Sequence, residues 1–395
     1  MNKFRRFAAI LCGFVFLASG LLKLLDPVGT GLIVSAYYQF LGLSFLGGTA
    51  KMAGLALALL ETLLGTALIT GVWRKVTAIV SGVLTVFFTA LTLLLLIRNP
   101  EMDCGCFGEA VHLTHLQSFL KNLILLALLA AAFLPMKNLG EANKKRKVAF
   151  WAVAAGLLIA AVYNQFHLPT VDFTDFAPGN ELLASLDNDY EENDDKVRVH
   201  VFRRDSQEGF FTENRLPDST WTFVRIDTLD RNGIRFEEKT PSLSFRDDMG
   251  EYQDELAVLG KVLLISVYDF GKISEGEWDR LVSLKEDAER VGINPLLLVT
   301  DGTPVETVVP ALLQPYAYFS DYKTLITLNR SNGGATYLDN GMIVRKWHFR
   351  ESPDQAALDK LFGTDPVDAT VSSVTRGRLR AQGFLLYLVA SLIIL

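Results

Sequence analysis

Two of the three cysteines in the chain stand one residue apart, Cys104 and Cys106 in DCGCFGEAVHLTH (103–115), with His112 and His115 just beyond. Two thiols separated by a glycine can close into a small disulfide ring, because Gly105 supplies the backbone freedom a tight ring requires. A strained ring is more readily reduced than a relaxed one, which suits an exchanging pair. A structural bridge would more naturally join distant segments, since short loops constrain the unfolded chain least. The stretch also offers a second chemistry: Cys104, Cys106, His112 and His115 present two thiols and two imidazoles within twelve residues, a donor set suited to zinc or copper, although packed more tightly than structural zinc patterns. A third reading leaves the loop purely structural.

Ionisable side chains in hydrocarbon are costly, so they signal function or internal pairing. Glu61 falls near the middle of one apolar run, Lys23 near the outer end of another, and Lys121 and Asn122 near the outer end of a third. Ser81, Thr85, Thr89 and Thr92 recur at helical spacing toward the cysteine loop. These groups either form a polar track from Glu61 toward the thiols or hold helices together by hydrogen bonds.

The elements that must position them are apolar runs at roughly 7–25, 50–70, 76–97, 118–136 and 148–166, each near the length needed to cross a bilayer. Half of the 395 residues are hydrophobic, and the excess is confined to 1–167; residues 168–378 read as an acidic, soluble region. A cleavable signal peptide is the competing reading of the first run, but no polar region follows FLASG. Cys12 lacks the Leu three residues upstream that a lipoprotein signal carries and reads as a small buried residue.

Basic residues fall before the first run (Lys3, Arg5, Arg6), between the second and third (Arg74, Lys75) and between the fourth and fifth (Lys137, Lys144, Lys145, Arg146, Lys147). The positive-inside rule makes that side cytoplasmic. The chain is then a bacterial inner-membrane protein with a cytoplasmic N-terminus, and the cysteine loop and the soluble region face the oxidising periplasm. One feature resists this scheme. The chain closes on RGRLRAQGFLLYLVASLIIL, an apolar tail of thirteen residues from Gly383 preceded by three arginines on the outer side. It reads as a membrane-associated helix shorter than the roughly 20 residues of a full span.

In the soluble region KVLLISVYD and NPLLLVTD read as strands, SEGEWDRLVSLKEDAERVG as an amphipathic helix ending at Gly292, and TPVETVVPALLQ as a second helix. GATYLDNGMIVRKWH reads as a hairpin turning at Asp339, Asn340 and Gly341, and TFVRIDTLDRNGIRFEEK as another turning at Arg231, Asn232 and Gly233. Strand, helix, strand, helix, hairpin is the thioredoxin order. The acidic run DNDYEENDDK (187–196) reads as a solvated loop. With a net charge of −6 and no basic patch outside the membrane connections, nucleic acid is excluded as a partner.

The stretches FLASGLLKLLDPVGT, ALLETLLGTALITG, VFFTALTLLLL and DCGCFGEAVHLTHLQSFLKN resemble landmarks of the DoxX-like membrane proteins, in particular the branch that includes the methylamine utilisation protein MauE. The resemblance implies a four-helix membrane domain, with Cys104 and Cys106 as its redox pair and Glu61 as its membrane carboxylate. HLPTVDFTDFAPG and KTLITLNRSNGGATYLDNGMIVRKWH resemble the extension of Bacteroidetes-type members, in which such a bundle is fused to a thioredoxin-like domain. The fused domain departs from a catalytic thioredoxin. Where Cys-x-x-Cys belongs the chain reads YDFGKISEGEW, and Gly333 stands where related members carry proline.

The expected organisation is a DoxX/MauE-like membrane domain (1–137), a basic linker and fifth helix (138–167), a periplasmic region (168–378) with a thioredoxin-like core at about 220–364, and a short membrane-associated helix (379–395). The expected function is periplasmic thiol–disulfide homeostasis or protein maturation, a thiol–disulfide oxidoreductase component exchanging electrons with a thiol-bearing protein partner or a quinone. The alternative is a non-enzymatic membrane scaffold of an envelope complex. Membrane lipid is a partner on either reading.

Overall fold

The computed structural model describes residues 2–100, 102–137, 139–140, 142–182, 196–204, 207–211, 222–230 and 243–394. Its first part is helical: α1 (Lys3–Leu25), α2 (Pro27–Phe40), α3 (Ala50–Thr70), α4 (Arg74–Arg98), a short extended segment β1 (Cys106–Glu109), α5 (His115–Phe133) and α6 (Lys144–Phe166). All of these helices except α2 are long and apolar enough to cross a membrane. Phe7, Phe14, Val83 and Ile159 are exposed on the perimeter, as a lipid-facing surface requires, while Ala8, Ala9, Cys12 and Leu68 pack inside.

Local signals set the helix ends. Asn2 caps α1 and Asn143 caps α6, each accepting from a backbone N–H three residues on, and Thr114 with Gln117 forms a capping box that starts α5 at His115. At the basic end of the bundle Arg6 donates to the Leu68 carbonyl (3.0 Å) and Arg5 to the Ala132 carbonyl (2.8 Å), satisfying the last carbonyls of α3 and α5. Helix α2 was not anticipated. Asp26 caps it through Gly29 N–H and Pro27 occupies its first turn, but its fourteen residues are too few to cross a bilayer.

The second part contains two sheets. β2 (Lys196–Arg204), β3 (Gln207–Phe211) and β4 (Thr222–Asp230) form an antiparallel sheet in the order β3-β2-β4. Arg231, Asn232, Gly233 and the acidic run up to residue 195 lie outside the described residues. The larger sheet comprises β5 (Lys261–Val267), β6 (Asn294–Thr300), β7 (Ala317–Ser320), β8 (Gly334–Asp339) and β9 (Met342–Trp347) in the order β7-β6-β5-β8-β9. β7, β6 and β5 are parallel, and β8 and β9 antiparallel. The central strands read as continuous apolar runs because both faces are covered: Leu263, Ile265 and Val267 meet Trp278 and Leu281 on one side, and Val262 and Leu264 meet Phe245 and Leu325 on the other.

Around this sheet lie α7 (Glu275–Val291), the single turn α8 (Val305–Val308), α9 (Tyr322–Leu328), α10 (Gln355–Phe362) and α11 (Pro366–Ile394). α7 has a Ser274–Glu277 capping box and ends at Gly292, as its sequence predicts. The β8–β9 hairpin turns on Asn340 and Gly341, both at positive φ, the two-residue turn that Asn-Gly favours. The helix predicted over TPVETVVPALLQ is reduced to one turn: Val309 is extended before Pro310, because proline disfavours helical geometry in its predecessor. The apolar tail is the second half of the 29-residue α11, which runs antiparallel to α6. Arg380 donates to the Tyr163 hydroxyl and Tyr387 to the Ala152 carbonyl.

Candidate functional site

The cysteine loop joins α4 to α5 and packs on α1 and α2. Gly105 sits at φ 62°, and a Cβ there would lie 2.3 Å from Ile33 on α2. Only glycine fits both the left-handed backbone and the space. This turn brings Cys104 Sγ and Cys106 Sγ to 3.0 Å, farther apart than a disulfide bond of about 2.05 Å and near enough to close into one with little movement. Tyr37, also on α2, donates to the Cys104 carbonyl (2.7 Å) and lies 4.0 Å from its sulfur. The buried Ser118 hydroxyl, otherwise unpartnered, faces the same thiol.

Beneath the loop lies a buried ion pair. Lys23 on α1 and Glu61 on α3 are only 5% and 2% exposed, and Lys23 Nζ donates to both Glu61 oxygens at 2.9 and 2.7 Å. Lys23 also donates to the Cys106 carbonyl at 2.9 Å, and Ser19 Oγ lies 2.6 Å from that carbonyl and 2.9 Å from Glu61 Oε2. Satisfying a buried charge this completely makes its desolvation tolerable. Glu61 is thus joined to the cysteine loop through Lys23, whose ammonium bonds the Cys106 carbonyl.

The two thiols differ electrostatically. The thiol–thiol hydrogen bond and burial push Cys104 well above the usual range for a thiol. Cys106 is held well below it: Cys104 donates to its sulfur, and Lys121 and Lys23 supply positive charge against the opposing effect of burial. Cys106 is also the more accessible, being partly exposed where Cys104 is buried. Lys121 is held over the Phe107 ring, 4.9 Å from its centroid.

The imidazoles turn elsewhere. His112 Nδ1 pairs with Asp103 at 2.9 Å on the surface, and His115 Nε2 lies 3.2 Å from the Pro100 carbonyl. Among the described residues no three His, Cys, Asp or Glu side chains converge on a metal position. The hydroxyls of Thr85, Thr89 and Thr92 bond the carbonyls of Ser81, Thr85 and Phe88 within α4. Among the described residues only Thr92 is reached from another helix, by Asn122 at 3.3 Å, and the stripe makes no hydrogen-bonded track to Glu61 there.

A cavity of about 360 Å³ adjoins both sulfurs. Lys23, Glu61, Tyr37 and Asn122 contribute its polar edge, and Val15, Phe16, Ile33, Val34 and Leu91 its apolar wall. Phe87 and Leu41 line it while being 56% and 41% exposed, so it opens between α4 and the end of α2 onto the apolar perimeter. Such a mostly apolar space with a few convergent polar groups is the usual form of a small-molecule site.

A second feature escaped the sequence reading. Asp26, the cap of α2, forms a buried pair with Arg330, the residue that opens RSNGG between α9 and β8. Arg330 Nε donates at 3.0 Å, and Glu109 at the end of the cysteine loop faces the same guanidinium. The α/β part thus sits on the end of the bundle that carries the thiols, opposite the basic ends. Gly333 has φ 73° and donates its N–H to the Ser266 carbonyl. Proline, fixed near −65° and without an N–H, could do neither.

Residues 1–135 match the family model described as methylamine utilisation protein MauE. This stretch is a MauE domain. It contains α1 to α5, the Cys-Gly-Cys loop, Glu61 and the cavity. With its apolar helices, the MauE domain makes the chain a multi-pass membrane protein. No curated protein and no solved structure matches the chain.

Proposed function

We propose that the MauE domain is a membrane thiol–disulfide exchange site that oxidises a dithiol of a periplasmic protein partner and passes the electrons to a quinone. The observation that carries this reading is the asymmetric thiol pair, Cys106 beside Lys23 and Lys121 and Cys104 buried, at the mouth of an apolar cavity. A cysteine with depressed pKa stabilises the reduced form of its pair, which makes the disulfide the better oxidant. In the first half-reaction a thiolate of the partner attacks Cys106 Sγ, the sulfur–sulfur bond breaks, and Cys104 leaves and takes up a proton. The partner's second thiolate then attacks its own sulfur in the mixed disulfide and expels Cys106 as a thiolate. In the second half-reaction the loop gives two electrons and the Cys104 proton to the quinone, the second proton coming from water because Cys106 is already a thiolate, and the disulfide is restored as a quinol forms.

The α/β part positions the partner. Its order of strands and its hairpin support the thioredoxin-like reading, and the cysteine-free YDFGKISEGEW makes binding rather than exchange its role. The periplasmic assignment rests on the basic residues gathered at the opposite end of the bundle. A second reading, a scaffold for an envelope complex, is favoured by the buried Asp26–Arg330 pair, which ties the two parts together without any thiol.

The test is anaerobic mixing of the reduced, purified chain with decyl-ubiquinone in detergent. The expected result is about one quinol per chain, following two-electron stoichiometry, lost in Cys106→Ser. No quinone reduction by a folded, fully reduced chain would overturn the electron-acceptor step, and a stoichiometric partner retained by a Cys104→Ser/Cys106→Ser variant would support the scaffold.

A further inference from the structure

The three arginines ahead of the apolar tail run against the charge pattern of the other connections. The structure places them around a second cavity, of about 430 Å³, between the outer end of α6, the 168–180 segment, β9 and α11. Arg376, Arg378 and Arg380 of α11 line it together with Arg345, Lys346 and Arg330. Lys346 is neutralised by Asp172 at 2.7 Å, and the other lining carboxylate, Glu351, is 3.5 Å from His167. Arg345, Arg376, Arg378 and Arg380 have no carboxylate within 4.0 Å among the described residues. Arg345 and Arg376 are near enough to repel, and that repulsion adds to burial in lowering the Arg345 pKa.

Arg330 provides the second observation. Its side chain is 4% exposed and lines the same cavity, held in place by the ion pair of Nη2 with Asp26 at 2.8 Å. Paired with Asp26, it adds a fixed, buried guanidinium to the cavity wall beside the arginines of α11. The cavity lies level with Tyr163, at the end of the membrane-crossing α6. Directly below it, Leu158, Ile159 and Val162 of α6 and Leu385, Leu386 and Val389 of α11 are exposed. A concentrated positive site above an open apolar seam fits a ligand with an anionic head and acyl chains.

We propose that this cavity binds the phosphate headgroup of an anionic phospholipid, whose chains lie along the α6–α11 seam. Guanidinium groups are suited to phosphate because they donate in a planar fork. The lipid offsets the repulsion among the arginines and fastens α11 to the membrane beneath the α/β part. The site is independent of the thiol chemistry, so a Cys104→Ser/Cys106→Ser variant keeps it.

The test is native mass spectrometry of the full chain in mild detergent with dioleoyl-phosphatidylglycerol, dioleoyl-phosphatidylcholine or inorganic phosphate. The expected result is a retained phosphatidylglycerol adduct that weakens about a hundredfold in Arg376→Gln/Arg378→Gln/Arg380→Gln, at roughly fivefold per charge removed near the membrane surface. The triple lysine variant at the same positions should keep most of the affinity, which separates lost charge from lost folding. Equal phosphatidylglycerol binding by the wild type and the glutamine variant would overturn the proposal, as would equal retention of phosphatidylcholine. Inorganic phosphate that displaces the lipid at equal concentration would show that the site serves a soluble anion, which also overturns the lipid assignment.

Discussion

The thiol loop of the MauE domain and the RSNGG loop of the α/β part face each other, and each is anchored by a buried ion pair. At the thiol loop, Lys23–Glu61 holds the Cys106 carbonyl and places positive charge beside a sulfur. At RSNGG, Arg330–Asp26 reaches across to cap-forming Asp26, in a loop with no thiol. Both pairs meet the same physical demand, that buried charges be matched. One holds a loop that carries two thiols and the other joins the two parts of the chain. A buried ion pair therefore does not announce chemistry by itself; what distinguishes the two is the group held at its end.

The largest expected effect is at the first pair. Lys23→Met leaves Glu61 buried without its counter-ion and should cost about 3–5 kcal/mol in stability, read as a fall in Tm in detergent. Lys23→Met/Glu61→Leu should recover most of that loss while leaving Cys106 without its nearby charge. If the double variant is as unstable as the single, the pair is not the main contributor to stability at this position.

Asp26→Asn isolates the second pair, because the amide oxygen can still accept from Gly29 while the charge is lost. About 2–4 kcal/mol should be lost at the interface, measured as faster hydrogen exchange in 329–334 with α1 and α3 unchanged. Exchange that accelerates equally in α3 would mean that the two parts are not separately anchored.

Gly105→Ala should cost about 1–3 kcal/mol through its positive φ and its collision with Ile33, and should also open the distance between the sulfurs. Disulfide formation under mild oxidant should slow, and Ile33→Ala in the same chain should restore only the part due to collision.

The smallest effect is electrostatic. Cys106 is depressed chiefly by the Cys104 hydrogen bond and then by Lys121 and Lys23, so in the reduced protein its alkylation by iodoacetamide should persist below the pH at which an ordinary thiol stops reacting. Lys121→Met removes a positive charge that favours the thiolate, so the inflection must move up. A downward or absent shift would contradict the assignment. Cys104, raised by the same hydrogen bond and by burial, should stay unreactive throughout.

Much of this arrangement was legible in the residues. The apolar runs locate the crossing helices, Gly292 and Asn340–Gly341 mark a helix end and a turn, and Glu61, Lys23, Cys104 and Cys106 stand out individually. Their convergence does not, because Lys23 and Glu61 are 38 residues apart and their meeting depends on how α1 packs on α3. α2 carried a readable start in Asp26–Pro27, hidden by its shortness. Arg330 carried no local signal at all: one arginine in LNRSNGG gains its meaning only when Asp26, more than three hundred residues earlier, lies beside it.

The most direct test of the exchange site is the redox state of Cys104 and Cys106 in intact cells, trapped with a mass-tagged alkylating agent before and after a brief pulse of mild reductant. The account predicts a pair that the pulse reduces and that re-oxidises within minutes after its removal. A pair locked in one state and unmoved by the pulse would contradict it.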